Sequence, residues 1–382
     1  MRTSFTDLVG VEQPLVGFNR SPGVVAAVTN AGGLGVLAAT AYSPDELHAQ
    51  LTWIDEQVGG KPYGVDLLMP FTAGDTGSLV ASLRAQIPAA HLAFVANLLD
   101  KYGIPPIGAD TGDFNDDLTA NINPAGAGAL LDVAFDHPIA LVASALGTPP
   151  PQMMERAKSE GVVVASLVGQ PKHAVRQLAA GVDVLVAQGT EAGGHTGAIA
   201  TMVLTPEIVD LADGRPVLAA GGIATGRQMA AALALGAAGV WCGSVWLSCR
   251  EDITPMEIKG KFFAASSSDT LRSKTRTGKP ARQLRSAWHD EWEAAGAPEP
   301  LPMPLQPLLV NEAWNRIDAA AVAGNENAIR LESFFIGQVV GSLTGLRPAG
   351  DIARQLVADC EQRLHELATL IAGRDRAADG FE

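Results

Sequence analysis

Four times along this chain an alanine-rich helical stretch ends, a glycine follows, and a short apolar, often β-branched run begins. "VVAAVTNAGGLGVL" does so at 24–37, "MMERAKSEGVVVASLV" at 153–168, "AVRQLAAGVDVLVAQG" at 174–189 and "QMAAALALGAAGVWCGS" at 228–244. Glycine just past a helix supplies the left-handed residue that caps it. The runs that follow are apolar on both faces, as in strands of a parallel sheet covered on both sides. Strands alternating with helices of this length are βα units.

The candidate strands are 13–17, 34–38, 63–68, 92–96, 139–144, 162–167, 183–187, 216–220 and 239–243. So many βα units in about 250 residues favour an α/β fold of the (β/α)8 TIM-barrel type over an open sheet. A barrel needs eight strands, so one candidate is wrong or accessory, and 92–96 is the weakest. No G-x-G-x-x-G follows a strand and no P-loop is present. Residues 104–136, rich in Pro, Gly, Asp and Asn, read as an irregular excursion between βα units. After Leu247 the alternation stops. The expected division is a barrel over 1–247, a smaller, mainly helical capping domain over 248–342, and a C-terminal helix within 343–382 that packs back on the barrel.

Composition bounds the partners. The chain has 382 residues and a formal net charge of −14, which argues against nucleic acid and against anionic membranes. Cys242, Cys249 and Cys360 have no metal-ligand spacing and read as reduced thiols, pointing to the cytoplasm. "MRTSFTDLVGVEQP" has no apolar core of a signal peptide. "MAAALALGAAGVWCGSVWL" (229–247) is long and apolar enough to span a bilayer, but Gly236 and Gly239 mark a turn between a buried helix and a buried strand.

Barrel enzymes place chemistry on the loops after strands. In "LAAGGIATG", Gly221 and Gly222 let backbone approach a ligand, and Thr225-Gly226 opens a helix. "VWCGS" ends the next strand with Gly243 and Ser244. Two adjacent strand ends with free N–H groups beside helix starts make a phosphate cup. A third loop, "AQGTEAGGHTG" at 187–197, carries four glycines together with Gln188, Glu191 and His195. Gln188, at its strand end, can reach a phosphate or ring edge. Gly193 and Gly194 permit a tight path. His195 lies beyond them, with an unperturbed pKa that suits a general base.

"AQGTEAGGHTG" closely resembles the signature of the nitronate monooxygenase family, formerly called 2-nitropropane dioxygenases. "VTNAGGLGVL", "AAGGIATG", "GVWCGSVWL" and "SDTLRSKTRTGKPARQLRSAW" fall in that family's order, so the resemblance covers nearly the whole chain. It is similar also to flavin-dependent enoyl-ACP reductases and quinone reductases. The resemblance implies a barrel with non-covalent FMN, roofed by a second domain. It places FMN on Gln188, Gly193, Gly222 and Trp241, Cys242, Gly243 and Ser244, with Gly194 and Gly221 beside them, and His195 over the flavin. Two departures stand out. Where the family usually has a Pro-Met pair, "PLVGFNRSPGVV" has Phe18 and Asn19-Arg20. Where an Asn is common at the third strand end, this chain has Asp66, which as a carboxylate accepts a hydrogen bond from flavin N3–H but donates none. Arg20 is expected to pair with Asp66 or to bind an anionic substrate, and Glu191 to orient the imidazole. The implied reaction oxidises an alkyl nitronate with O2 to a carbonyl compound and nitrite. The alternatives are an NAD(P)H-dependent FMN reductase of enones or quinones, and a flavin-free lyase or isomerase of a phosphorylated metabolite. All three take a small-molecule substrate, and a homo-oligomer is compatible with each.

Overall fold

The computed structural model describes residues 1–68, 81–106, 124–145 and 147–378. Eight parallel strands close into a barrel: β1 (Leu15–Asn19), β2 (Leu34–Ala38), β3 (Gly64–Leu67), β4 (Leu141–Ser144), β5 (Val163–Val168), β6 (Val184–Gln188), β8 (Val217–Ala220) and β9 (Gly239–Cys242). The missing number, β7 (Gly194–His195), belongs to a separate antiparallel sheet with β10 (Thr270–Ser273) and β11 (Ala281–Leu284), in the order β10-β11-β7.

Because side chains alternate along each strand, two sets of apolar residues pack apart. Val16, Val36, Ala143, Ala165, Val186, Leu218, Ala220 and Trp241 fill the barrel interior, joined by Phe5 and Val9 from the first helix, Ser4–Val9. Leu37, Val65, Leu67, Val142, Val164, Leu185 and Ala187 face outward, toward the helices. Both sets are buried, which is why the strands read as continuous apolar runs.

The strand expected at 92–96 is instead part of the helix Ala89–Lys101. Val95, Leu98 and Leu99 are its buried residues, a helical spacing. This helix packs with Trp288, Trp292, Trp314 and Ile317, in a cluster of its own. Of the excursion at 104–136, residues 107–123 lie outside the described residues. Its end is regular: Pro124–Phe135 is a helix, and Leu130, Leu131 and Phe135 sit in the outer barrel core.

The apolar stretch 229–247 divides as its glycines suggest. It runs through the end of the helix Gly226–Ala234, then β9, then the 3-10 turn Ser244–Ser248. Among the described residues no helix is long and apolar enough to cross a membrane. Beyond it lie the helices Met256–Ala264, Ala287–Glu293, Leu305–Val322 and Glu326–Leu331, together with the β10–β11 hairpin that the sequence reading left out. The last helix, Ala349–Ala378, lies on the helices 226–234 and 22–30. The approach is close: a Cβ on Gly226 would run into the Cys360 backbone nitrogen.

Candidate active site

The loops after β6, β8 and β9 meet at one end of the barrel. Gln188 ends β6 in register with Ala220, on the inward parity of Val184 and Val186. The chain then returns on itself, with Thr190 N–H donating to Ile199 C=O at 2.8 Å. A Cβ on Gly221 would fall 2.9 Å from the Ala192 nitrogen, and one on Gly193 would fall 2.9 Å from the Gly337 nitrogen. Residues 336–338 therefore strap two of these loops together. Gly337 N–H donates to Ser244 Oγ at 2.7 Å, and Gln338 N–H donates to Glu191 C=O at 2.9 Å.

The two loops expected to cup a phosphate follow adjacent strands, β8 and β9, at this end. Gly221 and Gly222 hold left-handed backbone, with φ of 95° and 74°. Ser244 starts a 3-10 turn, so its N–H points out of the turn without an intrahelical acceptor. Among the described residues neither the Gly222 nor the Ser244 N–H donates to any group. Trp241 and Phe18 line the same end, with ring centroids 5.7 Å apart, and Gly243 lies beside the Phe18 ring.

Two candidates do not face it. Cys242 is buried with Leu15, Val24 and Val28 on the outer side of the barrel wall. Asn19 shares that odd parity, and its amide is committed: Nδ2 donates to Asp252 at 3.0 Å and Oδ1 accepts from Ser21 N–H at 2.7 Å. Two expected pairings also fail. Arg20 is exposed and reaches Thr254 rather than Asp66. Glu191 does not touch the imidazole, because both its oxygens accept from Thr201 N–H, at 3.1 and 2.9 Å, anchoring the start of the helix Thr201–Leu211.

His195 is held more firmly than a glycine loop suggests. It forms β7 with Gly194 and pairs with Ala281 of β11. Its Nε2 lies 2.9 Å from Thr277 Oγ1. That hydroxyl donates to Lys279 C=O at 3.1 Å, so it accepts from the ring. The assignment puts the proton on Nε2 and leaves the lone pair on Nδ1. Burial, with help from the Lys279 charge, holds the imidazole below the ordinary histidine pKa. A neutral ring with one free lone pair is a general base ready at neutral pH. The exposed Phe335 ring stands 6.3 Å away. Sequence reasoning missed Thr277, Phe335 and Gly337. They lie far along the chain, and only the turn "TGKP" between two alternating runs hinted at a hairpin there.

Asp66 lies on β3 with the inward parity, opposite Ala38 and Ala143. It is 4% exposed, and its Oδ2 has no hydrogen-bond partner. A buried, unpaired carboxyl oxygen, free N–H groups on two strand ends and aromatic residues between them fit a planar cofactor with a phosphate tail.

The nitronate monooxygenase family model matches residues 3–359. The Mycobacterium tuberculosis protein Rv1533, named provisionally as a monooxygenase, is 52% identical over 97% of this chain and all of its own length. A (3aS,4S,5R,7aS)-5-hydroxy-7a-methyl-1-oxo-octahydro-1H-indene-4-carboxyl-CoA dehydrogenase of Rhodococcus jostii is 30% identical, covering 97% of this chain and 99% of itself. The crystal structure of a nitroalkane oxidase from Streptomyces ansochromogenes superposes with a TM-score of 0.76 at 28% identity, covering 95% of this chain and 99% of that one. Fold, strand-end loops and full-length match agree: this chain belongs to the nitronate monooxygenase family of flavin-dependent oxidoreductases.

Proposed function

We propose that the protein binds FMN without a covalent bond and oxidises alkyl nitronates, and the nitroalkanes from which they form, with O2. Bound FMN supplies the redox chemistry. The phosphate fits the N–H groups of Gly222 and Ser244, where a local cup of backbone dipoles needs no basic side chain. Gln188, Phe18, Trp241 and Asp66 line the space for the ring, and the segment from β10 to Gln338 roofs it. The observation that carries the reading is His195. Its Nδ1 lone pair, fixed by the Nε2–Thr277 hydrogen bond, takes the α-proton of a neutral nitroalkane, and the resulting imidazolium faces the nitronate it has made.

Purified protein should be yellow, and should release FMN on denaturation. His195→Asn should keep the colour and lose roughly 10²–10⁴-fold of kcat/KM on nitroalkane, the usual contribution of a positioned base. Preformed nitronate has no α-proton to lose, so its turnover should fall much less. Equal losses on both substrates exclude proton abstraction as the main role. The carboxyl-CoA dehydrogenase relative supports a second reading, in which the same site moves hydride to or from a substrate other than a nitro compound, with NAD(P)H as the reductant if it works as an enone or quinone reductase. Rapid anaerobic bleaching of the flavin by NADPH, with no turnover of either nitro substrate, selects it.

A further inference from the structure

Among the described residues, the inner wall at the mouth holds one ionisable side chain, Asp66, and its Oδ2 has no hydrogen-bond partner. Asp66 is flanked in register by Ala38 and Ala143, whose small side chains leave space beside it. The other strands present Phe18, Leu167, Gln188, Ala220 and Trp241 to the interior at this end, none of them charged. Val65 and Leu67, its neighbours along β3, face the helices. Arg20, the cation expected to pair with Asp66, is turned away to Thr254. A carboxylate so placed would be buried with neither a counter-charge nor a donor at Oδ2, which proteins avoid by keeping the proton.

We propose that Asp66 stands at the mouth as the neutral carboxylic acid and, in that form, pairs its O–H and C=O with the imide edge of the flavin ring. The proposal rests on the FMN reading above. A carboxylic acid offers one donor and one acceptor side by side, as an amide does. The imide edge of a flavin, an N–H next to a C=O, offers the complement. A carboxylate accepts only, and sets its charge against the imide carbonyl. The acid therefore does here what an asparagine side chain does by composition alone, and does it only while protonated. Burial pushes this carboxyl up to about 8, with no neighbouring charge acting on it.

The test measures FMN release from holoenzyme by fluorescence between about pH 6 and about pH 9, on either side of that value. Wild type should hold FMN roughly tenfold or more weakly at the alkaline end, the cost of a lost hydrogen bond with a charged acceptor left opposed. Asp66→Asn should be flat and match wild type at the acid end. Infrared difference spectra of wild type should show a protonated-carboxyl C=O band at neutral pH that disappears on alkalinisation and is absent from Asp66→Asn. Equal pH profiles for the two proteins, or no such band at neutral pH, overturn the proposal while leaving the FMN reading standing. A protein that holds no FMN at either pH, though the band titrates, overturns the FMN reading and the pairing together. If Asp66→Asn does not fold, Asp66→Ser serves for the same comparison, because Glu332, which burial also pushes up to about 8, keeps its own band in both proteins and only a difference between them reports Asp66.

Discussion

His195 and Thr277 are 82 positions apart in sequence, yet a single hydrogen bond between them decides which ring nitrogen is basic. Thr277→Val removes that bond at nearly constant volume. A typical hydrogen bond contributes about 0.5–1.5 kcal/mol, so kcat/KM on nitroalkane should drop roughly two- to tenfold while FMN binding stays unchanged. Both burial and Lys279 lower the His195 pKa. A base works when deprotonated, so the acid limb of kcat/KM on nitroalkane should lie below the ordinary histidine value of about 6.5. Lys279→Gln removes one of the two depressing effects and should move that limb upward, toward the ordinary value. A limb that stays put in Lys279→Gln assigns the shift to burial alone. The polar identity of His195 was legible from its glycine-rich loop. Its partner was not, since nothing local links the two segments. Asn19 and Cys242 show the same limit in another form. On strands with apolar residues on both faces, the sequence contains no alternation to say which side chains face inward, and both residues turned out to point away from the mouth.

Among elements, the β10–β11 hairpin explains the basic run that follows the barrel. Arg272 and Arg282 are opposite each other, and Arg282 is opposite Gly194. Arg282 donates to Thr190 C=O at 2.8 Å and Arg272 to Thr196 C=O at 2.9 Å, so two arginines clamp both ends of the histidine loop. The two glycines inside the loop serve different ends. Gly193 has backbone of residues 336 and 337 within 2.9 Å of any added Cβ, whereas Gly194 has open space but φ of 76°. Gly193→Val must therefore push the strap off Ser244 and Glu191, at about 1–3 kcal/mol or more, with visible loss of retained FMN. Gly194→Ala meets no atom and should cost only about 1–2 kcal/mol of backbone strain, with the flavin kept. Thermal melts and flavin content of the two variants check the contrast. Four of the barrel strands were the most legible because a glycine past a helix announces an apolar run. The segment 92–96 misled because a short apolar run fits strand or helix equally, and only the wider spacing of Val95, Leu98 and Leu99 decides.

For the whole molecule, the division of the core matters most. The barrel interior, its outer layer, the tryptophan cluster and the C-terminal layer form four separate apolar clusters. The last of these joins Ile352, Leu356 and Val357 of the final helix to Val24 and Met229 of the barrel helices. Three large side chains at about 1.5–3 kcal/mol each rival the roughly 5–15 kcal/mol net stability of a typical domain. Ending the chain at 348 should therefore give aggregated or flavin-free protein, read by size-exclusion chromatography and the visible spectrum. A monodisperse, yellow truncate makes the helix dispensable.

The pairing of β7 with β11, and the strap at Gly337, also fix an order of events on the ribosome. All eight barrel strands have been synthesised once Cys242 is added, but the residues that seat the histidine loop arrive at 277–282 and 336–338. Synthesis proceeds at about 5–20 residues per second, so the barrel has several seconds in which to close with its mouth unroofed. In the nascent chain the barrel strands therefore precede the segment that seats the histidine loop. In the full-length chain, breaking the late contacts, as Gly193→Val does at the strap, should speed FMN release relative to wild type.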